Sequence, residues 1–366
     1  MEQHLPIAEL LRQLVAAGGS DLHLTAGAPP HLRIDGELQP LPGYAPLAPG
    51  QTRELVEPIF TPAQRERFAR DQELDFSFGV DRLSRFRASV FTQRGSVGAV
   101  IRVIPSQSKS FEELGLPPLV KKLCRLPRGL ILCTGPAGSG KSTTLAAMLD
   151  LINSERHGHI TTVEDPIEFV HRHKGCLVNQ REVYSDTPSF ALALRSTVRQ
   201  DPNVVLIGEM RDLESMQAAL RIAETGHLTL TTLHTNTAVS ALTRLVDAFS
   251  AAQQAQVRTQ LSLTLEAVLC QALLPRSSGS GRVLALEMLV PNQAIRHLIR
   301  EGRIQQIYAV MQTGQEKTGM RTMNQALAAL VIRRLITPEV AMQQATDLKE
   351  FSELLARANF RAAAVA

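Results

Sequence analysis

Leu130-Ile-Leu-Cys-Thr-Gly135-Pro-Ala-Gly-Ser-Gly140-Lys-Ser-Thr143 decides the fold of this chain. The apolar run Leu130 to Cys133 reads as a buried strand. It passes without a gap into Gly135–Ser142, which fits G-x-x-x-x-G-K-[ST], and an Ala-, Leu- and Met-rich helical pattern follows from Thr143 to Ile152. Glycines in that setting let backbone amides curl around phosphate oxygens, and the helix start adds partial positive charge. Gly135, Pro136, Ala137, Gly138, Ser139, Gly140, Lys141, Ser142 and Thr143 are therefore the expected nucleotide-binding loop. Lys141 is expected to reach the β- and γ-phosphates and the Ser142 hydroxyl to hold Mg²⁺.

A second apolar run, Val204-Val-Leu-Ile207, ends in Gly208-Glu209. A strand edge of this kind sets a carboxylate beside Mg²⁺ and an attacking water, so Glu209 is a candidate for both metal holding and catalysis. Thr161-Thr-Val-Glu164-Asp-Pro-Ile-Glu168 brings three carboxylates within five residues at another strand end. Glu168 follows a proline and suits an acidic helix start, whereas Glu164 suits orientation of water or of a hydrated metal. His227 and His234 flank a third run, seven residues apart, without the spacing of a metal site. His171-Arg-His173 likewise lacks a carboxylate-rich partner.

The 366 residues suffice for two domains, and 44% hydrophobic with 20% charged residues marks a globular chain. No apolar run approaches the ~18 residues of a membrane span. The opening Met1-Glu-Gln-His-Leu-Pro6 lacks the basic and apolar regions of a secretory signal. Four scattered cysteines form no C-x-x-C pair, which points away from zinc and toward a reducing cytoplasm. A net charge of +4, no Trp and three Tyr offer neither the basic stripe nor the stacking platforms of a nucleic-acid binder.

Residues 1–105 read as an α+β domain. A helix over Ile7–Ala17 precedes alternating strands at Asp21–Thr25, His31–Asp35, Leu74–Phe78, Arg85–Phe91 and Ala99–Ile104, with helical spacing from Pro49 to Arg70 and a start signal at Thr61-Pro62. A linker region follows over 106–125, with Pro105–Ser110 its most turn-rich part and a plausible hinge. An α/β core spans 126–290, its strands at 130–133, 160–163, 204–207 and 228–232 predicting a parallel, doubly wound sheet. The region 291–366 reads as helical, with an Ala-rich end expected to fray. Arg82, Arg85, Arg87, Arg94 and Arg102 lie along the last strands of the first domain, where a charged face is ordinarily solvated. Rigid guanidinium groups of this kind also serve a neighbouring subunit's γ-phosphate; Arg195, Arg199 and Arg211 are the alternative set.

The order of these blocks resembles the secretion and type IV pilus ATPase superfamily, and within it the retraction ATPases of twitching motility. The resemblance runs through Ser20–Leu24, Pro29–Gly36, Gly135–Thr143, Glu164–His171, Leu177–Glu182, Gly208–Asp212, Ala223–Leu228 and Thr232–Thr235. Ala294-Ile-Arg-His-Leu-Ile-Arg-Glu301 is similar to a C-terminal motif of the retraction branch, and Gly319–Gln325 fits the same tail. Ala137, Thr231 and His297 stand where that branch has Thr, Gly and Asn.

The resemblance implies an N-terminal PAS-like domain, a RecA-like ATPase core, C-terminal helices and a homohexameric ring hydrolysing ATP with Mg²⁺. It implies nucleotide sensing by His227 and His234, and Arg85, Arg87 or Arg102 acting on a neighbour's γ-phosphate. It also implies an inner-membrane platform protein as partner at the cytoplasmic face. An accessory retraction paralogue, a nucleic-acid translocase and a non-hydrolysing scaffold are the rival readings.

Overall fold

Alternation builds the first sheet. The computed structural model describes residues 6–34, 36–105, 108–314 and 318–365, with side chains from 7 to 357; Asp35, Ser106 and Gln107 of the expected strand and hinge lie outside them. Strands β1 (Asp21–Leu24), β2 (His31–Ile34), β3 (Glu37–Pro40), β4 (Glu73–Val80), β5 (Ser84–Gln93) and β6 (Ser96–Ile104) pair antiparallel in the order β3-β2-β1-β6-β5-β4. Along β5, Phe86, Ala88 and Val90 are buried while Arg85 and Arg87 point the other way, the period of two that a half-wet sheet requires. The helix Pro6–Ala16 closes the inner face with Ile7, Leu10, Leu11 and Leu14. Thr61 starts the helix Pro62–Asp71 through a reciprocal cap with Gln64. Arg82 and Arg94 sit in turns with positive φ (54° and 47°) and not on strands, a departure from the sequence expectation.

The described residues of the second unit form seven strands, of which the inner ones, covered on both faces, are buried at nearly every position instead of alternating. The seven are β7 (Gly129–Thr134), β8 (His159–Glu164), β9 (Leu177–Glu182), β10 (Val204–Ile207), β11 (Leu228–Leu233), β12 (Leu265–Pro275) and β13 (Arg282–Leu289). Their order is β13-β12-β7-β11-β10-β8-β9, parallel throughout except for the antiparallel edge pair β12–β13. Leu130 and Leu132 face one apolar layer with the helices Leu213–Glu224, Ala238–Asp247 and Ala251–Thr264; Ile131 and Cys133 face another with Pro118–Cys124 and Lys141–Glu155. Three strands beyond the four expected, β9, β12 and β13, complete the sheet.

The chain divides into two compact units. The first holds residues up to Gln107 together with Pro166–Val170, and the second holds 108–165 and 171–366. Within the first unit Arg87 pairs with Glu168 at 3.3 Å, and the Val170 amide donates to the Pro105 carbonyl. Among the described residues no helix is long and apolar enough to cross a membrane.

Candidate nucleotide site

Parallel pairing brings the C-terminal ends of β7, β11, β10 and β8 to one edge of the second sheet, where ligands of open α/β sheets bind. The phosphate loop leaves β7 with φ of 139° at Gly135, 75° at Gly138 and 89° at Gly140, which caps the helix Lys141–Glu155. A Cβ at Gly135 would run into the Gln271 carbonyl oxygen, so both the backbone angle and the neighbouring strand demand glycine there. Gln271 also braces the helix start from beneath: its Nε2 donates to Thr144 Oγ1 at 2.7 Å and its Oε1 accepts from the Cys133 thiol at 3.3 Å.

Lys141 is 8% exposed, and its Nζ donates to the carbonyls of Gly135 (2.9 Å) and Pro136 (3.0 Å). Burial lowers its pKa, opposed by the Cys133 thiol and by Glu209. Such an ammonium is ready to exchange loop carbonyls for phosphate oxygens. Ser139 Oγ is buried with no hydrogen-bond partner, while Ser142 stands exposed in the first helical turn. An orphaned hydroxyl in the cradle and an accessible one beside it fit a site built for a phosphorylated ligand and its cation.

Glu209 sits just beyond β10, 21% exposed. His234 Nε2 lies 3.1 Å from Glu209 Oε1, and His234 Nδ1 lies 3.5 Å from Lys141 Nζ. A lysine ammonium only donates, so Nδ1 is the acceptor and Nε2 carries the proton toward Glu209. The other Glu209 oxygen accepts from Arg211 Nε at 2.9 Å, and Arg211 also approaches Asp165 at 3.9 Å. Thr232 Oγ1 holds the Gly208 carbonyl at 2.7 Å, fixing the turn that presents Glu209.

Glu164 ends β8 one strand away, 5% exposed, with Oε1 accepting from Thr162 Oγ1 (2.7 Å) and Gln180 Nε2 (3.3 Å). A Cβ at Gly208 would lie 3.2 Å from Glu164 Cα. Glycine thus lets the two carboxylate-bearing strand ends approach. Beside Glu209 and His234 opens a cavity of about 860 Å³, lined also by Arg211, Arg244 and Asp247.

The structure therefore gathers the loop, Lys141, Glu209, His234 and Glu164 at one edge. His227 stands before β11, at the opposite end of that strand from His234, a separation of roughly 20 Å for six residues. There its Nδ1 meets Ile222 O at 3.0 Å and Thr225 Oγ1 at 3.1 Å, closing the preceding helix. His173 likewise serves the backbone, accepting from the Val178 amide. Arg85, Arg87 and Arg102 belong to the first unit and engage Ser77, Glu168 and the buried Asp21 at 2.6, 3.3 and 2.7 Å. Sequence reasoning assigned no role to Gln271, Thr232 or Gln180; Thr232 and Gln180 lie within quoted segments of the resemblance, whereas Gln271 is distinguished only by its polarity inside an apolar strand.

A phosphate loop at the end of a central parallel strand, with carboxylates at the ends of other strands along the same sheet edge, defines the class of P-loop nucleotide-binding proteins. The chain belongs to the Type II/IV secretion system protein family, whose profile matches residues 7–341. It is 48% identical over 347 residues to the type IV pilus retraction ATPase PilT of Pseudomonas aeruginosa, covering 95% of this chain and 100% of that one. It is 44% identical over 342 residues to the type IV pilus ATPase PilU of the same organism, covering 93% and 89%. A crystal structure of the pilus retraction motor PilT with bound ADP superposes with a TM-score of 0.88 at 51% identity, covering 94% of this chain and 98% of that one.

Proposed function

We propose that this chain is a motor ATPase that powers type IV pilus retraction. The observation that carries the reading is the Lys141–His234–Glu209 chain across the sheet edge, in a protein 48% identical along nearly its whole length to a retraction ATPase. In this reading the first unit is PAS-like, the second is a RecA-like core, and six copies form a ring at the cytoplasmic face of the inner membrane. A platform protein in that membrane is the partner that receives the motion.

Mg²⁺, held by Ser142 and Glu209, would neutralise charge on the β- and γ-phosphates. Lys141 leaves the carbonyls of Gly135 and Pro136 and donates to the phosphates. Glu209 orients the attacking water, with Glu164 supporting the base from the next strand. His234 reports between the two, because its Nε2 proton goes to Glu209 while its Nδ1 faces Lys141. Arg85, Arg87 and Arg102 are the candidates for acting on a neighbouring subunit's γ-phosphate.

The test is ATP turnover across a size-exclusion profile, with Glu209→Gln alongside. Turnover confined to the hexamer, lost in the variant and indifferent to DNA, supports a ring motor. Turnover by monomer or stimulation by DNA supports the translocase, and binding without turnover supports the scaffold. The 44% identity to PilU favours a second reading, an accessory retraction ATPase. Restoration of twitching in cells lacking their only retraction ATPase separates the two.

A further inference from the structure

Strand β13 carries an ionisable side chain into the interior. Glu287 is 1% exposed, and both of its oxygens end on backbone amides. Oε1 accepts from Ala238 N at 2.6 Å and Oε2 from Met323 N at 2.9 Å. These are the first residues of two different helices, Ala238–Asp247 and Met323–Ile332. Thr237 and Thr322 cap the third amide of their own helix, at Ser240 and Gln325. One carboxylate thus completes two helix starts and meets the positive end of both dipoles. Burial raises its pKa and the two amides oppose that shift.

Ala238 lies four residues after His234, so the Glu287 bond pins the end of the loop that carries that histidine. Cys270, the register partner of Glu287 on β12, holds the same loop through a thiol contact to Thr235 O at 3.8 Å. On the other side, Arg321 and Met288 exchange two backbone hydrogen bonds of 2.8 and 3.0 Å, which fixes the approach to Met323. The His234 loop and the first turn of a C-terminal helix are therefore held by one side chain.

We propose that Glu287 is a positioning residue: it sets His234 between Lys141 and Glu209 and ties that placement to the C-terminal helices. The assignment rests on the reading of the sheet edge as an ATP site. Its content is a coupling between the region around Met323 and the catalytic loop, carried by a single carboxylate with two amide partners.

Met323→Pro tests it. Proline suits the first helical position, and Thr322 is already extended (φ −76°, ψ 162°), so the substitution deletes the amide donor to Glu287 while keeping the helix. Met323→Ala controls for the lost buried side chain. Relative to that control, the proline variant is expected to raise amide exchange over residues 235–238. It is also expected to lower kcat for ATP on the order of tenfold at unchanged KM. Ala238→Pro, cut from the other end, is expected to do the same and to loosen residues 324–326. Exchange confined to 322–326, with kcat equal to that of Met323→Ala, overturns the coupling. Exchange is read without nucleotide, so a parent protein that hydrolyses nothing sinks the ATPase reading while the exchange pattern still decides the coupling.

Discussion

His234 stands between Lys141 and Glu209, 3.5 Å from one and 3.1 Å from the other, and so links the phosphate loop after β7 to the end of β10, two strands away, through a single imidazole. Glu209→Gln keeps the shape of this arrangement but removes the charge that we propose orients the attacking water. It is expected to bind nucleotide like the parent while kcat falls by about a hundredfold or more. His234→Ala is expected to lower kcat with a smaller effect on nucleotide affinity. Equilibrium binding of a fluorescent nucleotide beside steady-state phosphate release checks both, and equal loss of binding in Glu209→Gln would count against its assigned role.

Gly208→Ala probes the approach of two strands. The new methyl group would press on Glu164 Cα at 3.2 Å, a backbone atom that yields only if β8 and β10 separate. We expect a loss of about 1–3 kcal/mol in unfolding free energy. A drop in kcat of about tenfold or more at unchanged nucleotide affinity is expected as well, because Glu164 and Glu209 move apart. Denaturant unfolding and single-turnover hydrolysis measure the two effects separately.

Thr231 is buried on β11 with a hydroxyl that has no hydrogen-bond partner. Thr231→Val replaces that hydroxyl by a methyl group of similar size. Its expected effect is a gain of about 1 kcal/mol, since an unmade buried hydrogen bond is removed. A thermal unfolding midpoint below that of the parent would refute this account.

Arg296, in the motif Ala294–Glu301, turns inward: its guanidinium reaches Ser262 O at 2.8 Å and Glu266 at 3.3 Å. Burial raises the Glu266 pKa, with Arg296 opposing that shift. As pH rises from the usual glutamate range, the unfolded chain therefore loses its proton first. Stability falls through that window and levels off above the raised folded value. Glu266→Gln is expected to flatten this dependence. Arg296→Ala is expected to extend the fall to higher pH and to cost about 1–3 kcal/mol at neutrality. Urea unfolding across pH 4 to 8, about the range where a perturbed glutamate titrates, reads both effects.

Much of the site is legible in the sequence because phosphate binding needs glycines at fixed intervals and a strand before them. Val204–Ile207, a short apolar run, and Leu228–Leu233, a run of leucine and β-branched threonine, are equally legible as strands at the centre of a covered sheet. The hairpin β12–β13 escaped for a physical reason. Leu265–Pro275 follows a helix directly and is rich in Leu and Ala, so local preference does not mark it as strand; pairing with β7 decides it. β9 is polar (Leu-Val-Asn-Gln-Arg-Glu) because it is an edge, and β3 is exposed at every position. The two histidines looked equivalent by spacing, yet a strand separates its ends, so only His234 joins the nucleotide edge.

Pro166–Val170 belongs to the first unit although the residues on both sides of it belong to the second. The covalent chain therefore passes between the units three times, once near residue 107 and twice around this segment. A fragment ending at Gln107 would leave Arg87 without Glu168 and the Pro105 carbonyl without Val170. Neither half is a cassette that can be lifted out, fused or exchanged with a relative's at a single junction. A chimaera that respects the architecture must carry two exchanged stretches, and one of them begins directly after Glu164-Asp165.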